Sequence, residues 1–348
     1  MSLKQAQRDR IREFILLNLR AHPRDIVRVT QRKFELSRPS VLRYMHELLS
    51  KGQIRVDGSR RGTTYGLLPT QRMSRTYAID EHIAEDKVWR NDVMPMLTGA
   101  RQNVIDVCQY GLTEIFNNAI EHSEGSRIEV AVELWVDQID LRVSDNGVGI
   151  FNKIQRKYGL EDPLHAILEL SKGKLTTEPA HHTGEGIFFA SRMFDRFVIV
   201  SGRLGFVYTD GIDLLTDIDG QIPGTSVEMQ ISPRSKTTTS MVFREFAPEF
   251  GFDRTVVPVK LARYGNENLV SRSQARRLLA RLEKFKNVML DFQDVRHIGR
   301  AFADEVFRVF VAAHPGTRVV PLHHNKLIGK LIREIRNAAG QQGRPRRV

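Results

Sequence analysis

The sequence predicts a multi-domain chain, partly α+β and partly α/β, on three observations. Positive charge is concentrated in the first 70 residues, glycine-rich loops punctuate a helix–strand–helix order in the middle, and strand and helix alternate towards the C-terminus. A length of 348 residues is enough for two or three domains with their own cores. With 41% hydrophobic and 27% charged residues, the composition is that of an ordinary soluble protein. No apolar run approaches the ~20 residues of a membrane-spanning helix, so no membrane contact is expected. Lys4 and Arg8 stand where a signal peptide needs its apolar segment. The only cysteine, Cys108, lies beside Val104, Ile105 and Val107. It excludes an internal disulfide and a Cys-based zinc site, and is expected as a buried thiol in a cytoplasmic protein.

Residues 1–70 hold 15 Lys and Arg against 6 Asp and Glu, a net of +9 within a total of +12. A helix over 4–20 carries Ile11, Phe14, Ile15 and Leu19 on one face. Pro23 ends it, and a short helix follows near 25–33. Ser37 is a candidate N-cap, with Pro39 in the first turn of a third helix. That helix buries Val41, Leu42, Met45, Leu48 and Leu49 before Gly52 stops it. Gln53 to Leu67 then reads as a hairpin with Arg60 and Arg61 at its tip. Three helices and a basic hairpin resemble a winged helix-turn-helix domain. The resemblance implies that Arg38, Ser40 and Arg43 lie on the exposed face of the recognition helix, with Arg60 and Arg61 on the wing. DNA is the expected partner of residues 1–70. Phosphate contacts would supply affinity without revealing which sequence is read. Winged helices that mediate only protein contacts share the same pattern.

In residues 72–232, helical stretches at about 80–98 and 100–123 precede strands Ile128–Leu134 and Gln138–Ser144. The segment 151–183 has little periodicity and several basic residues. A helix over 186–196, strands around 197–209 and a last strand Thr225–Ile231 follow, and Ser232–Ser240 is a polar linker. Residues 250–340 alternate strands near 255–261, 287–292 and 317–322 with helices near 271–285, 301–313 and 324–338. This is an α/β pattern with a partly parallel sheet. Residues 341–348 form a basic tail, expected to be disordered.

Three motifs in the central region carry chemistry. On the helix over 100–123, Glu114, Asn118 and His122 follow at four-residue steps along one stripe. ATP hydrolysis needs a carboxylate that takes a proton from water and an oxygen ligand for Mg²⁺. A solvated helix face would show the same stripe. Asp145 ends an alternating strand and is followed by Gly147 and Gly149. A carboxylate there can accept the exocyclic amine of adenine, and glycines let backbone approach the base; a hairpin turn has the same signature. Thr183-Gly184-Glu185-Gly186 runs into an apolar helix whose first amides can hold phosphates. Thr225 starts the last strand and brings a hydroxyl towards the adenine.

In this order, the motifs resemble the N, G1 and G2 boxes of the GHKL (Bergerat-fold) ATPases, over about 160 residues. The resemblance implies a two-layer α/β sandwich binding ATP and Mg²⁺. It implies Glu114 as catalytic base, Asn118 as Mg²⁺ ligand and Asp145 as adenine reader. Gly147 and Gly149 would shape the pocket, and Thr183, Gly184 and Gly186 would line the phosphates. Residues 151–183 would be a lid, where Lys153, Arg156, Lys157, Lys172 and Lys174 are candidate phosphate contacts.

Asn118-Ala119-Ile120-Glu121-His122 is closest in flavour to the anti-sigma-factor kinases. The C-terminal alternation around Val288–Ile298 looks like a STAS-type domain, the usual target of such kinases. Where a STAS phosphoacceptor serine would fall, however, the chain reads Gly299-Arg300-Ala301-Phe302, with no hydroxyl. A sensor histidine kinase fits poorly, because His82 is followed by Ile83, Ala84 and Glu85 rather than directly by an acidic residue. The expectation is therefore an ATP-hydrolysing, DNA-binding regulator, with a protein partner on the STAS-like module and a homodimer compatible with the sequence. The alternative is a serine/threonine kinase acting on a separate STAS-like protein.

Overall fold

The computed structural model describes residues 3–58, 62–80, 83–160, 162, 164–173, 185–247, 253–263 and 268–342. Helices α1 (Leu3–Asn18), α2 (Ile26–Phe34) and α3 (Arg38–Ser50) lead into an antiparallel pair, β1 (Ile54–Asp57) and β2 (Thr64–Leu67), with Ile54 opposite Leu67. Capping chemistry sets the start of α3. The extended Ser37 accepts a hydrogen bond from the Ser40 amide, and Pro39 occupies the first turn. Ile15, Leu19, Ile26, Val41 and Leu48 belong to a core separate from that of the rest of the chain. Arg12 reaches from α1 to Glu47 on α3 through Nε at 3.0 Å and Nη2 at 2.7 Å, pinning the two helices together.

The central sheet has the order β3-β4-β5-β7-β6, with every neighbouring pair antiparallel. Its strands are β3 (Gln71–Ala78), β4 (Arg127–Leu134), β5 (Ile139–Asp145), β6 (Arg196–Thr209) and β7 (Ile212–Ile231). One face is apolar because the register sets Val130 opposite Val143 and Val132 opposite Leu141, all buried. Helix α5 (Gln102–His122) belongs to the same core through Val104, Cys108, Leu112, Ile115 and Phe116. Helices α8 (Gly186–Met193) and α9 (Thr239–Phe246) join it, with Phe188 and Phe246 edge to face at 5.2 Å.

Several elements differ from the sequence reading. Instead of one helix over 80–98, α4 (Glu85–Val88) is followed by a π turn at Trp89–Val93 and a 3₁₀ turn at Met94–Leu97. Pro95 lacks the amide that a continuous α-helix needs there. Strand β3 has no counterpart in the sequence reading: it is a mostly exposed edge strand, without the alternation that marks a half-buried one. The first half of β7 is a further addition. The polar stretch before α9 is pinned rather than loose, since Asn103 Nδ2 donates to the carbonyls of Ser235 and Thr237 at 3.0 and 2.8 Å.

The C-terminal sheet, β8 (Arg254–Pro258), β9 (Asn287–Asp291) and β10 (Arg318–Leu322), has the order β10-β9-β8 and both pairings are parallel. Val288, Met289 and Leu290 are consecutive and all buried, as expected of a central parallel strand covered on both faces. Helices α10 (Arg272–Leu279), α11 (Arg300–Asp304), α12 (Phe310–Ala313) and α13 (Lys326–Gln342) accompany it.

Between β5 and α8 lie two helices, α6 (Ile150–Tyr158) and α7 (Leu164–Lys172). Every residue from His165 to Gly173 is buried. This part of the stretch is therefore a short helix whose polar residues, His165, Glu169 and Lys172, are buried along with its apolar ones, and not an open loop. A single buried cluster runs from Val88 to Ile335 and embraces both larger sheets. The N-terminal helices meet the β4–β5 turn, where Arg20 pairs with Asp137 at 2.8 Å and lies over the Trp135 ring at 4.7 Å. Among the described residues no helix is long and apolar enough to cross a membrane.

Candidate functional site

Helix α5 forms one wall of the site. Glu114 and Asn118, both half-buried, lie one turn apart. Asn118 Nδ2 donates to the Glu114 carbonyl at 2.7 Å, which leaves Oδ1 as the atom able to ligate a hard cation. The Glu114 carboxylate lies against the first turn of α8, so close that a Cβ on Gly186 would overlap it. A helix start carries the positive end of the dipole, which favours an anion there. One turn before Glu114, burial and the negative charges of Glu114 and Glu185 push the Tyr110 phenol above its ordinary range.

The second half of the site is the end of β5. Asp145 Oδ1 accepts hydrogen bonds from the Gly147 amide at 2.8 Å and the Thr225 amide at 3.3 Å. Burial raises the Asp145 carboxyl above the usual range, while the bonds from Gly147 and Thr225 act in the opposite sense. Thr225 Oγ1 accepts from the amide of Ile150, the first residue of α6, at 3.0 Å. Gly147 packs so tightly on Ser123, at the end of α5, that a Cβ would overlap the Ser123 carbonyl. The Val148 amide donates to that same oxygen at 2.8 Å. Gly149, at φ +85°, takes a backbone conformation that side-chain-bearing residues resist.

Two groups of sequence-predicted residues thus gather along one helix. Glu114, Asn118 and Gly186 form one, and Asp145, Gly147, Gly149 and Thr225 form the other. From Glu114 to Ser123, α5 advances about 13 Å at 1.5 Å per residue. Thr183 and Gly184 lie outside the described residues, as does Lys174. Lys153 does not point to open solvent: its Nζ donates to the His122 carbonyl at 2.8 Å and pairs with Glu124 at 3.1 Å. Lys172 is not an exposed basic residue either, being 1% exposed and paired with Glu169. Among the described residues no group of three or more His, Cys, Asp and Glu side chains could hold a metal by itself. Asn118 Oδ1 could supply one oxygen ligand, and a cation there would need its other ligands from outside these side chains.

Sequence reasoning missed the support for α8. Arg192, near the end of that helix, makes two bonds to Asp213 on β7, at 2.6 and 2.8 Å, and lies between the rings of Phe188 and Tyr208. Asp213 sits in the part of β7 that carries no strand signal, so the pair has no local signature. It also missed the hydroxyl contacts beside the site, Ser144 to Ser226 and Ser201 to the Gly224 carbonyl, each at 2.8 Å. A shallow depression of about 150 Å³ bordered by Glu133, Asp140 and Glu228 opens elsewhere on the central sheet, and is too small for a nucleotide.

In the N-terminal region Arg38 and Arg43 are exposed on α3, and Ser40 is half-buried with its hydroxyl 2.9 Å from that of Ser37. Arg60 and Arg61 lie outside the described residues. At the C-terminal end, Gly299 caps α11 and Arg300 opens it.

A family model described as a STAS-like domain of unknown function (DUF4325) matches residues 274–328. The match runs from α10 through the β9 and β10 strands into α13, so the C-terminal region is STAS-like. No curated protein matches the chain.

Proposed function

We propose that this protein is an ATP-binding, ATP-hydrolysing regulator that binds DNA through residues 1–70 and a protein partner through its STAS-like region. The observation that carries the reading is the lining-up of two chemistries along α5. The Glu114 carboxylate lies against the glycine start of α8, and the Asp145 loop, with its partly buried carboxylate, packs through Gly147 on Ser123 at the far end of α5. This separation of phosphate-type and base-type recognition supports an extended nucleoside triphosphate, in line with the resemblance to GHKL ATPases. Bound Mg²⁺ would neutralise phosphate charge. Glu114 would accept a proton from the attacking water, Asn118 Oδ1 would hold the cation, and Asp145 would accept from the adenine amine. The α8 amides favour the phosphates. Arg38 and Arg43, exposed on a helix whose start is capped by Ser37, support DNA contact.

Calorimetric titration of the full chain with Mg-ATP, together with phosphate release, tests the assignment. ATP at 100 times its dissociation constant stabilises the binding state by about 2.7 kcal/mol. Glu114→Ala should keep ATP-dependent thermal stabilisation and lose turnover, whereas Asp145→Ala should lose both. Equal phosphate release by wild type and Glu114→Ala would discard the base assignment.

The STAS-like region favours a second reading, a kinase acting on a separate STAS-like protein. Its own acceptor position, Gly299-Arg300-Ala301, has no hydroxyl. Label from the ATP γ-phosphate appearing on a protein partner, rather than as free phosphate, would establish the kinase.

A further inference from the structure

Helices α6 and α7, which follow Gly149, are held by the STAS-like region. Helix α6 begins directly after Gly149 and is tied to the site by the Ile150–Thr225 and Lys153–His122 hydrogen bonds. Helix α7 follows it, and the chain then leads to Gly186. The Lys172 ammonium, at the end of α7, donates to Glu169 Oε1 at 2.5 Å, to the Arg277 carbonyl at 3.2 Å and to the Ala280 carbonyl at 2.9 Å. All three of its protons are therefore engaged. Arg277 and Ala280 belong to the last turn and C-cap of α10, so a lysine from the nucleotide-site segment satisfies the orphan carbonyls of a helix in the STAS-like region.

The joint has further members. Glu169 Oε2 accepts from Arg281 at 3.0 Å, and Arg281 lies over the ring of Tyr158, the last residue of α6, at 4.8 Å. Thr255 on β8 donates its hydroxyl to the Lys172 carbonyl at 2.7 Å. Lys172 and Glu169 are 1% and 5% exposed. A buried ion pair is weak evidence for stability, because apolar residues of similar volume pack there at least as well. What the charged version adds is a directional joint: it fits only when α7 and the end of α10 are in one arrangement.

We propose that Lys172, Glu169 and Arg281 couple the nucleotide site to the STAS-like region, so that nucleotide binding and the packing of α10 control one another. The proposal rests on the nucleotide reading above. A ligand that contacts the Asp145 loop draws on α6, which begins there, and through it on α7, whose last residue is bonded to the end of α10. Linkage makes the effect reciprocal, so a partner that grips α10 alters nucleotide affinity by the same factor.

The test is hydrogen exchange of the full chain with and without saturating Mg-ATP, binding being confirmed separately by calorimetry. In wild type, Mg-ATP should change the exchange rates of the Arg276–Ala280 amides by about fivefold or more, the lower end of measured site-to-site coupling. The paired replacement Glu169→Leu with Lys172→Met keeps apolar volume and removes the charges, and should still bind ATP while losing that response. Should this pair fail to fold, Arg281→Met at the rim should weaken the response in the same sense. If wild type binds ATP and the α10 amides do not respond, or the folded variant responds as wild type does, the coupling is overturned while the nucleotide site stands. If wild type binds no ATP, the nucleotide reading falls and the coupling falls with it.

Discussion

Glu114 and Asp145 sit in environments that push them towards different work. Glu114 lies against the first turn of α8, at the positive end of that helix. If Glu114 is the base of the proposed hydrolysis, Glu114→Gln should release phosphate about 10²–10⁴ times more slowly, with nucleotide affinity little changed. Asp145 is raised by burial, with two backbone amides only partly offsetting it. A carboxyl whose folded pKa lies above its unfolded value favours the fold when protonated, and that contribution is lost as pH rises through the folded pKa. The ionised Asp145 therefore weakens the ligand-free protein at neutral pH. Asp145→Asn should melt at the same temperature or higher at pH 7, the difference closing in acid where both side chains are neutral. The same variant should bind ATP at least about tenfold less well, a loss of about 1.4 kcal/mol. Wild-type ATP affinity should also fall on acidification sooner than an ordinary aspartate would dictate. Thermal melts and calorimetry across pH measure both effects.

Helices and loops around the site depend on a few tight contacts. Gly147 has room only for hydrogen against the Ser123 carbonyl, so Gly147→Ala must push the Asp145 loop away from the end of α5. Overpacking of this kind costs about 1–3 kcal/mol, to be read from denaturant unfolding, and nucleotide affinity should fall with it. Helix α8 has only 8 residues and is too short to hold itself. Its far end is anchored by Arg192, whose side chain is 5% exposed and whose partner Asp213 is 3% exposed. Arg192→Met strands a buried carboxylate and should destabilise by about 3–5 kcal/mol; adding Asp213→Leu should recover much of the loss. Recovery of stability without recovery of ATP affinity would show that the pair also aims the start of α8.

Across the whole molecule the charge is divided unevenly. A basic N-terminal region with its own core is attached to a nearly neutral body by the contacts of Arg20 with Asp137 and Trp135. DNA affinity of the full chain should therefore drop steeply with salt, and removing one phosphate-neutralising side chain should flatten the log–log slope by about 0.9. Arg38→Ala with Arg43→Ala should weaken binding to every sequence if both residues touch phosphate. If either reads a base, the loss should fall on particular sites instead. Repeating the titration with Mg-ATP asks whether the nucleotide site reaches the N-terminal region as well. The connection is at hand, since β5 carries Asp145 at one end and follows the turn that meets Arg20 at the other.

Local chemistry was enough to find the pieces. The Ser37 cap and Pro39, the alternation of Ile139, Leu141 and Val143, the glycines after Asp145 and the strand–helix rhythm of the STAS-like region all act within a few residues of themselves. Their physical causes are therefore written along the chain. The stripe of Glu114 and Asn118 belongs with these, although a solvated helix face looks the same until α8 is seen against it. Strand β3 and the first half of β7 escaped because pairing, not side-chain pattern, makes them strands. Helix α7 escaped for a different reason: it is only nine residues long, and its polar residues His165, Glu169 and Lys172, although at helical spacing, are buried in the fold rather than turned to solvent. Lys172 shows the limit most clearly. On sequence it is one basic residue among several in a supposed lid, yet in the fold its three protons are shared between a glutamate one turn away and carbonyls more than 100 residues further on. Burial and partners at such separations are properties of the packed chain. Only folding could turn that lysine from a candidate phosphate contact into a joint between two regions.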